Sequence, residues 1–308
     1  MFVVCGEALM DVFAAGDTDA GMALDARVGG SPFNAAVGLA RLAQPVAFFA
    51  AVSRGFLGER LMRALAAEGV NTSAVQRNDA PTTLGLVGLD ANRVPSYSFY
   101  GQGCADRQLT ADALASLPQG VSAIHLGSYA TVVEPIASTL RALVEREHAR
   151  TLIAYDPNIR LNVEPDLARW RDMLDWMLPR THLLKISEED LQLLLPGTSC
   201  DEFAAGALRR GVTLLVVTRG AEGAVAWTPR AHASAPTVQV EVIDTVGAGD
   251  TFQAALLTWL AEHGMLSAPA LQALSGAELE SALDFAARAA AITCSRRGAD
   301  MPRRSELR

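Results

Sequence analysis

Two aspartates bracket a Gly-Ala-Gly turn in the stretch IDTVGAGDTFQAALLTWL, residues 243–260. Gly247, Ala248 and Gly249 leave their backbone N–H groups unhindered, and the apolar run from Thr251 to Glu262 reads as an amphipathic helix starting there. The free N–H groups and dipole of such a helix start attract an anion. A carboxylate at Asp250 beside an anion is unfavourable unless it does chemistry. A general base next to a transferring phosphoryl group is chemistry of that kind. The plain alternative is that Asp250 caps its own helix and stabilises the dipole. A second stretch, GGSPFNAAVGLARL at 29–42, combines Gly29 and Gly30, which permit close backbone approach to a ligand, with Asn34, which offers a donor and an acceptor to a polyol. Its portion 35–42 reads as a helix of small residues. Taken alone, the stretch also suits a loop before a core helix.

These residues need a frame. The runs FVVC, VAFFAAV, VSAIHL, TLIAY, HLLKI and TLLVV read as short strands, and 57–67, 133–148 and 202–210 carry a 3.6-residue apolar period. That alternation predicts an α/β fold with a central, mostly parallel sheet flanked by helices. Two segments break the rhythm. Residues 12–28 lack a helical period, and 82–104 holds TTLGLVGLDANRVPSYSFY, two alternating strands around an Asp-Ala-Asn-Arg turn. Both are expected to form a small β lid inserted into a single domain spanning 1–308. The small-residue segment 264–276 is expected as an exposed excursion between two C-terminal helices.

A parallel sheet gathers the residues that follow its strands at one edge, where open α/β folds bind ligands. Here they are Gly6, Glu7 and Asp11 after FVVC; Asp156, Pro157 and Asn158 after TLIAY; Ser187, Glu188, Glu189 and Asp190 after HLLKI; and Thr218 and Gly220 after TLLVV. One acid after one strand is an ordinary helix cap. Four such loops together favour a site.

Composition excludes several classes. The chain has 308 residues, is half hydrophobic and carries a net charge of -8 with no basic block, so neither nucleic acid nor an anionic membrane has electrostatic support. The end RRGADMPRRSELR is expected as a solvated tail. Cys5, Cys104, Cys200 and Cys294 lack CxxC spacing and fit reduced cytoplasmic thiols better than a disulfide or zinc framework. The start MFVVCGEALMD has no basic leader region, and the longest apolar stretch, 35–52, is broken by Arg41, Gln44 and Pro45. A soluble cytoplasmic protein is expected. Lys185 is the only lysine and no G-x-x-x-x-G-K-[ST] occurs, which excludes a Walker-type site. Phosphate charge is then left to backbone N–H groups, Mg²⁺ and arginine. A Schiff-base enzyme would rest on Lys185 alone. A dinucleotide dehydrogenase lacks its G-x-G-x-x-G after the first strand.

The sequence resembles the ribokinase-like, PfkB-type carbohydrate kinases, and among them the bacterial fructokinases. The resemblance runs from GEALMD (6–11) through GGSPFNAAVGLARL, EGVNTS (68–73), ADRQLT, DPNIR (156–160), KISEEDL and VTRGAEG to DTVGAGDTF. It implies a sheet with a β lid over the sugar, ATP and Mg²⁺ as cofactors, and no macromolecular partner beyond a homodimer. By motif, Asp250 resembles the base that deprotonates the attacking hydroxyl, and the N–H groups of Gly247, Ala248 and Gly249 the anion hole. Asp11, Gly29, Gly30 and Asn34 match sugar contacts, and Arg160 lies where relatives reach toward sugar or phosphate. Lys185, Ser187, Thr218, Gly220 and Gly223 fall on the nucleotide side. The family's Asn-x-x-Glu is replaced by Ser187 and Asp190, which leaves Glu189 and Asp190 as alternatives for ordering the metal shell. Asp244 with the CSRRGA loop matches a site for a monovalent cation such as K⁺.

The lid segment SYSFYGQGCAD has no arginine before Arg107, which favours a neutral sugar, D-fructose first. A 2-keto-3-deoxygluconate kinase is the runner-up, since Arg160 could face a carboxylate, and other sugar or nucleoside kinases of the family follow. From another class, a non-catalytic sugar-binding regulator is opposed by the intact GAGD.

Overall fold

The computed structural model describes residues 1–89 and 95–307. In chain order the first half contains β1 (Phe2–Cys5), β2 (Leu9–Thr18), β3 (Gly21–Gly29), α1 (Ser31–Arg41), β4 (Val46–Phe49), β5 (Ala51–Ser53), α2 (Phe56–Ala67), β6 (Gln76–Asn78), β7 (Leu84–Leu89), β8 (Pro95–Tyr100), β9 (Ala123–Gly127), α3 (Ile136–Glu147) and β10 (Leu152–Asp156). The second half contains α4 (Leu167–Met177), β11 (Leu183–Ser187), α5 (Glu188–Leu194), α6 (Cys200–Arg209), β12 (Leu214–Thr218), β13 (Ala224–Trp227), β14 (His232–Ala235), α7 (Ala248–Glu262), α8 (Ala268–Ala273) and α9 (Gly276–Cys294).

The central sheet has the order β14-β13-β12-β11-β10-β9-β1-β4. From β4 to β12 neighbouring strands are parallel, and β13 and β14 close one edge antiparallel. Both faces are covered, as the near-continuous apolar strands demand. In β1 the alternation is direct: Phe2 and Val4 join the core beneath α1, α7 and α9, while Val3 and Cys5 join the core beneath α3 and α4. The register Cys5↔Leu126, Asp156↔Gly127 and Ser187↔Thr218 brings the strand ends to one edge. The expected α/β architecture is the one present. No helix among the described residues is long and apolar enough to cross a membrane.

A separate four-stranded sheet has the order β3-β2-β7-β8. The Asp-Ala-Asn-Arg turn assigned to 90–93 lies outside the described residues. Asp11, assigned to the end of the first strand, belongs instead to β2 of this small sheet, opposite Arg27 on β3 and Gly85 on β7. The connection between β1 and β2 is only Gly6–Ala8, too short to register as a separate element in the sequence.

Four further readings differ from the structure. VAFFAAV is divided between β4 and β5, the latter pairing with β6 in a two-stranded sheet. Helix α7 is not amphipathic: every residue from Asp250 to Leu260 is buried, because α7 is packed against both α1 and α9. Segment 264–276 contains α8 and buries Leu271 and Leu274. The C-terminal segment is no solvated tail. Met301 and Leu307 are buried, and its charges find distant partners, Arg304 on Glu262 at 2.8 Å and Arg303 on Glu68 at 3.2 Å.

Candidate active site

The start of α7 is built by Gly247, which adopts φ 77° as the residue before the first turn. A side chain there would also collide with Ala299, whose Cβ lies 2.5 Å from the ideal Cβ position. Only glycine meets both demands. The amides of Gly247, Gly249 and Asp250 have no protein acceptor among the described residues, whereas Ala248 N–H donates to the Thr245 carbonyl at 3.2 Å. That bond removes one of the three donors assigned to the anion hole from full availability and leaves the Asp250 amide as a fourth. The turn therefore presents N–H groups to an anion, as helix starts do.

The Asp250 carboxylate does not cap its own helix. Ser31 Oγ donates to Oδ1 at 2.6 Å and Asn34 Nδ2 to Oδ2 at 2.8 Å, both from the first turn of α1. Asp250 is 9% exposed. Burial raises its pKa above the ordinary carboxylate value, opposed by the Ser31 and Asn34 hydrogen bonds and by the charges of Arg160 and Lys185. Proton affinity raised in this way, in a carboxylate fixed by two donors, suits a base.

Asp11 lies nearby on β2. A Cβ on Gly29 would sit 2.2 Å from Asp11 Oδ2, and one on Gly85 would sit 3.1 Å from Oδ1, so two glycines make room for this carboxylate. Desolvation pushes its pKa up to about 6, with Arg160 lowering it and Asp250 raising it. The exposed Arg160 side chain likewise acts on Asp190 and on Glu7. Gly30 precedes α1, and its carbonyl accepts from Asn34 N–H at 2.8 Å.

On the far side of the α7 start is a cavity of about 790 Å³. It is bordered by Lys185, Ser187, Thr218, Gly220 and Gly223, by Arg160, Glu189 and Asp190, and by Ala248 and Gly249. All five residues assigned to the nucleotide side thus meet here, in a volume usual for a small-molecule site. Lys185 Nζ donates to Asp156 Oδ2 at 2.7 Å, with side chains 6% and 3% exposed. The same Nζ is 3.2 Å from the ideal Cβ position of Gly249, so this ammonium stands against the turn. Lys185→Met would leave Asp156 buried without its cation and should cost about 3–5 kcal/mol of stability. Urea unfolding with an unchanged midpoint would show that the pair carries no such weight.

Ser187 accepts from Asp190 N–H at 3.0 Å and starts α5. Asp190 is buried, accepts from Ile159 N–H at 3.3 Å and has its pKa pushed up to about 6, chiefly by burial and then by Asp156. Glu189 is exposed at the cavity border. Asp244 lies apart from Glu189 and Asp190: Oδ1 accepts from Val246 N–H at 3.0 Å and Oδ2 from Gly298 N–H at 2.8 Å, which ties it to the CSRRGA loop. Glu189, Asp190 and Asp244 do not converge, and no cluster of three metal-ligating side chains occurs among the described residues.

Three residues without an assigned role belong to this neighbourhood. Ser31 lies inside the quoted GGSPFN and holds Asp250. Asp156 opens DPNIR and is the partner that the chain's only lysine needed in a buried sheet. Glu7 is fully buried, with Oε2 lacking a partner among the described residues and its pKa pushed up to about 8 by desolvation. Its position after β1 was visible in the sequence, but its burial was not.

Comparison with known proteins agrees with this geometry. The family model for pfkB family carbohydrate kinases matches residues 1–305. A fructokinase from Rhizobium leguminosarum bv. trifolii is 35% identical over 267 residues, 87% of this chain and 82% of that protein. Among solved structures, a fructokinase with bound ATP from Xylella fastidiosa is 29% identical and superposes with a TM-score of 0.87 over 99% of this chain and 96% of that one. A fructokinase double mutant from Vibrio cholerae O395 in a fructose, ADP and potassium ion bound form has a TM-score of 0.84 at 25% identity, covering 99% of this chain and 96% of that one. With a family match over nearly its whole length, joined to a buried carboxylate at a glycine-built helix start, the chain belongs to the pfkB family carbohydrate kinases.

Proposed function

We propose that the protein is an ATP-dependent fructokinase, transferring the γ-phosphoryl group of ATP to a hydroxyl of D-fructose. The observation that carries this is the Asp250 carboxylate, fixed by Ser31 and Asn34 between the Asp11 side of the site and the cavity beyond α7. Asp250 takes the proton of the attacking hydroxyl. The N–H groups at the α7 start, with Lys185 beside Gly249, hold the charge that passes between nucleotide and sugar. Asp11, Gly29, Gly30, Asn34 and Arg160 surround the sugar, over which the small sheet closes as a lid. The choice of a neutral sugar follows from the strands of that sheet, whose one arginine, Arg27, is paired with Asp25 at 2.6 Å, and from the fructokinases among its relatives.

The nucleotide occupies the cavity against Thr218, Gly220 and Gly223. The residues present fit Mg²⁺: Asp156 Oδ1 is buried without a partner among the described residues, and carboxylate oxygen is the donor this ion prefers. Asp190, with Asp156, would hold the ion and its waters, and Glu189 is left to solvent. When bound, Mg²⁺ supplies charge neutralisation on the phosphates. Asp244 and the 294–299 loop would take a monovalent cation such as K⁺. Four free cysteines and the use of ATP support a cytoplasmic enzyme.

A panel of fructose, ribose, adenosine and 2-keto-3-deoxygluconate with Mg-ATP tests the reading. Fructose should give the highest kcat/KM. A preference for 2-keto-3-deoxygluconate would move the assignment to the acid sugar.

A further inference from the structure

Arg107 carries a charge beside the small sheet that no direct ion pair holds among the described residues. It lies in the 3-10 turn Ala105–Gln108 that follows β8, where it is half-buried. Among the described residues its guanidinium makes no hydrogen bond and no ion pair, and its Nε is shielded from solvent. Its neighbour Asp106 acts on it through charge alone and gives it no hydrogen bond: one carboxylate oxygen accepts from Thr83 Oγ1 and the other from Tyr129 OH at 2.9 Å. A guanidinium so placed keeps its N–H donors while giving up water, which is unfavourable unless an acceptor arrives.

Two contacts fix its direction. Cζ lies 5.6 Å from the centroid of the Tyr129 ring, and a Cβ on Gly101 would stand 2.5 Å from Nη2. Gly101 is not in the left-handed region, so its backbone does not demand glycine; a side chain there would displace the end of the Arg107 guanidinium. Tyr129 meets Phe99 edge to face with centroids 5.9 Å apart. Phe99 in turn approaches to 3.2 Å of the ideal Cβ position of Gly85, the glycine that makes room for Asp11. Arg107 is thus joined to the Asp11 position through Tyr129, Phe99 and Gly85.

We propose that Arg107 is a substrate-specificity residue that donates to neighbouring hydroxyl oxygens at the end of the sugar remote from the hydroxyl that is phosphorylated. This rests on the fructokinase reading and adds a sugar contact to it. The planar fork of N–H groups suits two adjacent oxygens, and the guanidinium is attracted to the Tyr129 ring.

Steady-state kinetics on Arg107→Met and Gly101→Ala test it together. Arg107→Met removes the donors, and Gly101→Ala keeps the charge but drives Nη2 from its place. Each should raise the KM for fructose about 10- to 100-fold, as loss of hydrogen bonds to a charged group implies, with kcat and the KM for ATP unchanged. Arg107→Lys should recover part of the loss. If Arg107→Met melts far below wild type, Gly101→Ala decides. An unaltered fructose KM in Gly101→Ala and in any folded Arg107 variant overturns the proposal. Should the wild-type enzyme ignore fructose and phosphorylate another sugar, the fructokinase reading falls, and Arg107 is judged by the KM for that sugar.

Discussion

Asp250→Asn should lower kcat by roughly 10²–10⁴-fold while leaving the binding of sugar and ATP nearly intact. The asparagine keeps the size of the side chain, and its oxygen still accepts from Asn34; the Ser31 hydroxyl can turn to accept from the new amide. What it cannot do is take a proton. The N–H groups of the α7 start remain where Gly247 puts them, and one negative charge near the phosphates is gone, so nucleotide affinity should not suffer. Were Asp250 only a stabiliser of its helix, asparagine would serve nearly as well and activity would persist. The variant should therefore melt near wild type, bind fructose in a calorimeter and release almost no ADP. Activity above about a tenth of wild type would remove Asp250 from the role of base.

Asp11→Ala should act on the sugar and spare the nucleotide. Asp11 lies between Gly29 and Gly85 with both oxygens available to hydroxyl donors, and each charge-assisted bond lost is worth roughly 1.5–3 kcal/mol. The KM for fructose should rise by at least about tenfold, with calorimetric ATP affinity unchanged. The raised pKa supplies an independent check. Asp11 ionises at about 6 in the folded protein, and only the ionised form is a full acceptor. Lowering the pH from neutrality through that value should raise the wild-type fructose KM, and Asp11→Ala should show a flatter dependence. Asp190 titrates in the same range, but it faces Asp156 and Lys185, so its protonation should be felt on the nucleotide side. An unchanged fructose KM in Asp11→Ala would remove Asp11 from the sugar site.

The parts of this site that were legible in the sequence are those where residue type itself is constrained. Gly247, Ala248, Gly249 and Asp250 announce a tight turn, free N–H groups and a carboxylate within four residues, and the structure holds them at the start of α7. The alternating strand and helix periods likewise declared the parallel sheet. What stayed hidden depends on which elements become neighbours. The Lys185–Asp156 pair requires β10 beside β11, and nothing local to either residue says so. Asp11 looked like the end of β1 because three residues suffice to carry the chain into the small sheet. Periodicity gave α7 a solvated face that α1 and α9 cover. Arg303 and Arg304 looked solvated because their carboxylates, Glu68 and Glu262, are supplied by the ends of α2 and α7, far away in the sequence.

The central claim is that the α7 start and Asp250 pass a phosphoryl group from ATP directly to a sugar hydroxyl. Purified wild-type enzyme, incubated with Mg-ATP labelled in its γ-phosphate, tests it with and without fructose. The label should appear in a fructose phosphate, one for each ADP formed, and ADP formation should stop when fructose is omitted. Label released as inorganic phosphate at the same rate without sugar, or no ADP with any sugar of the panel, would contradict the account.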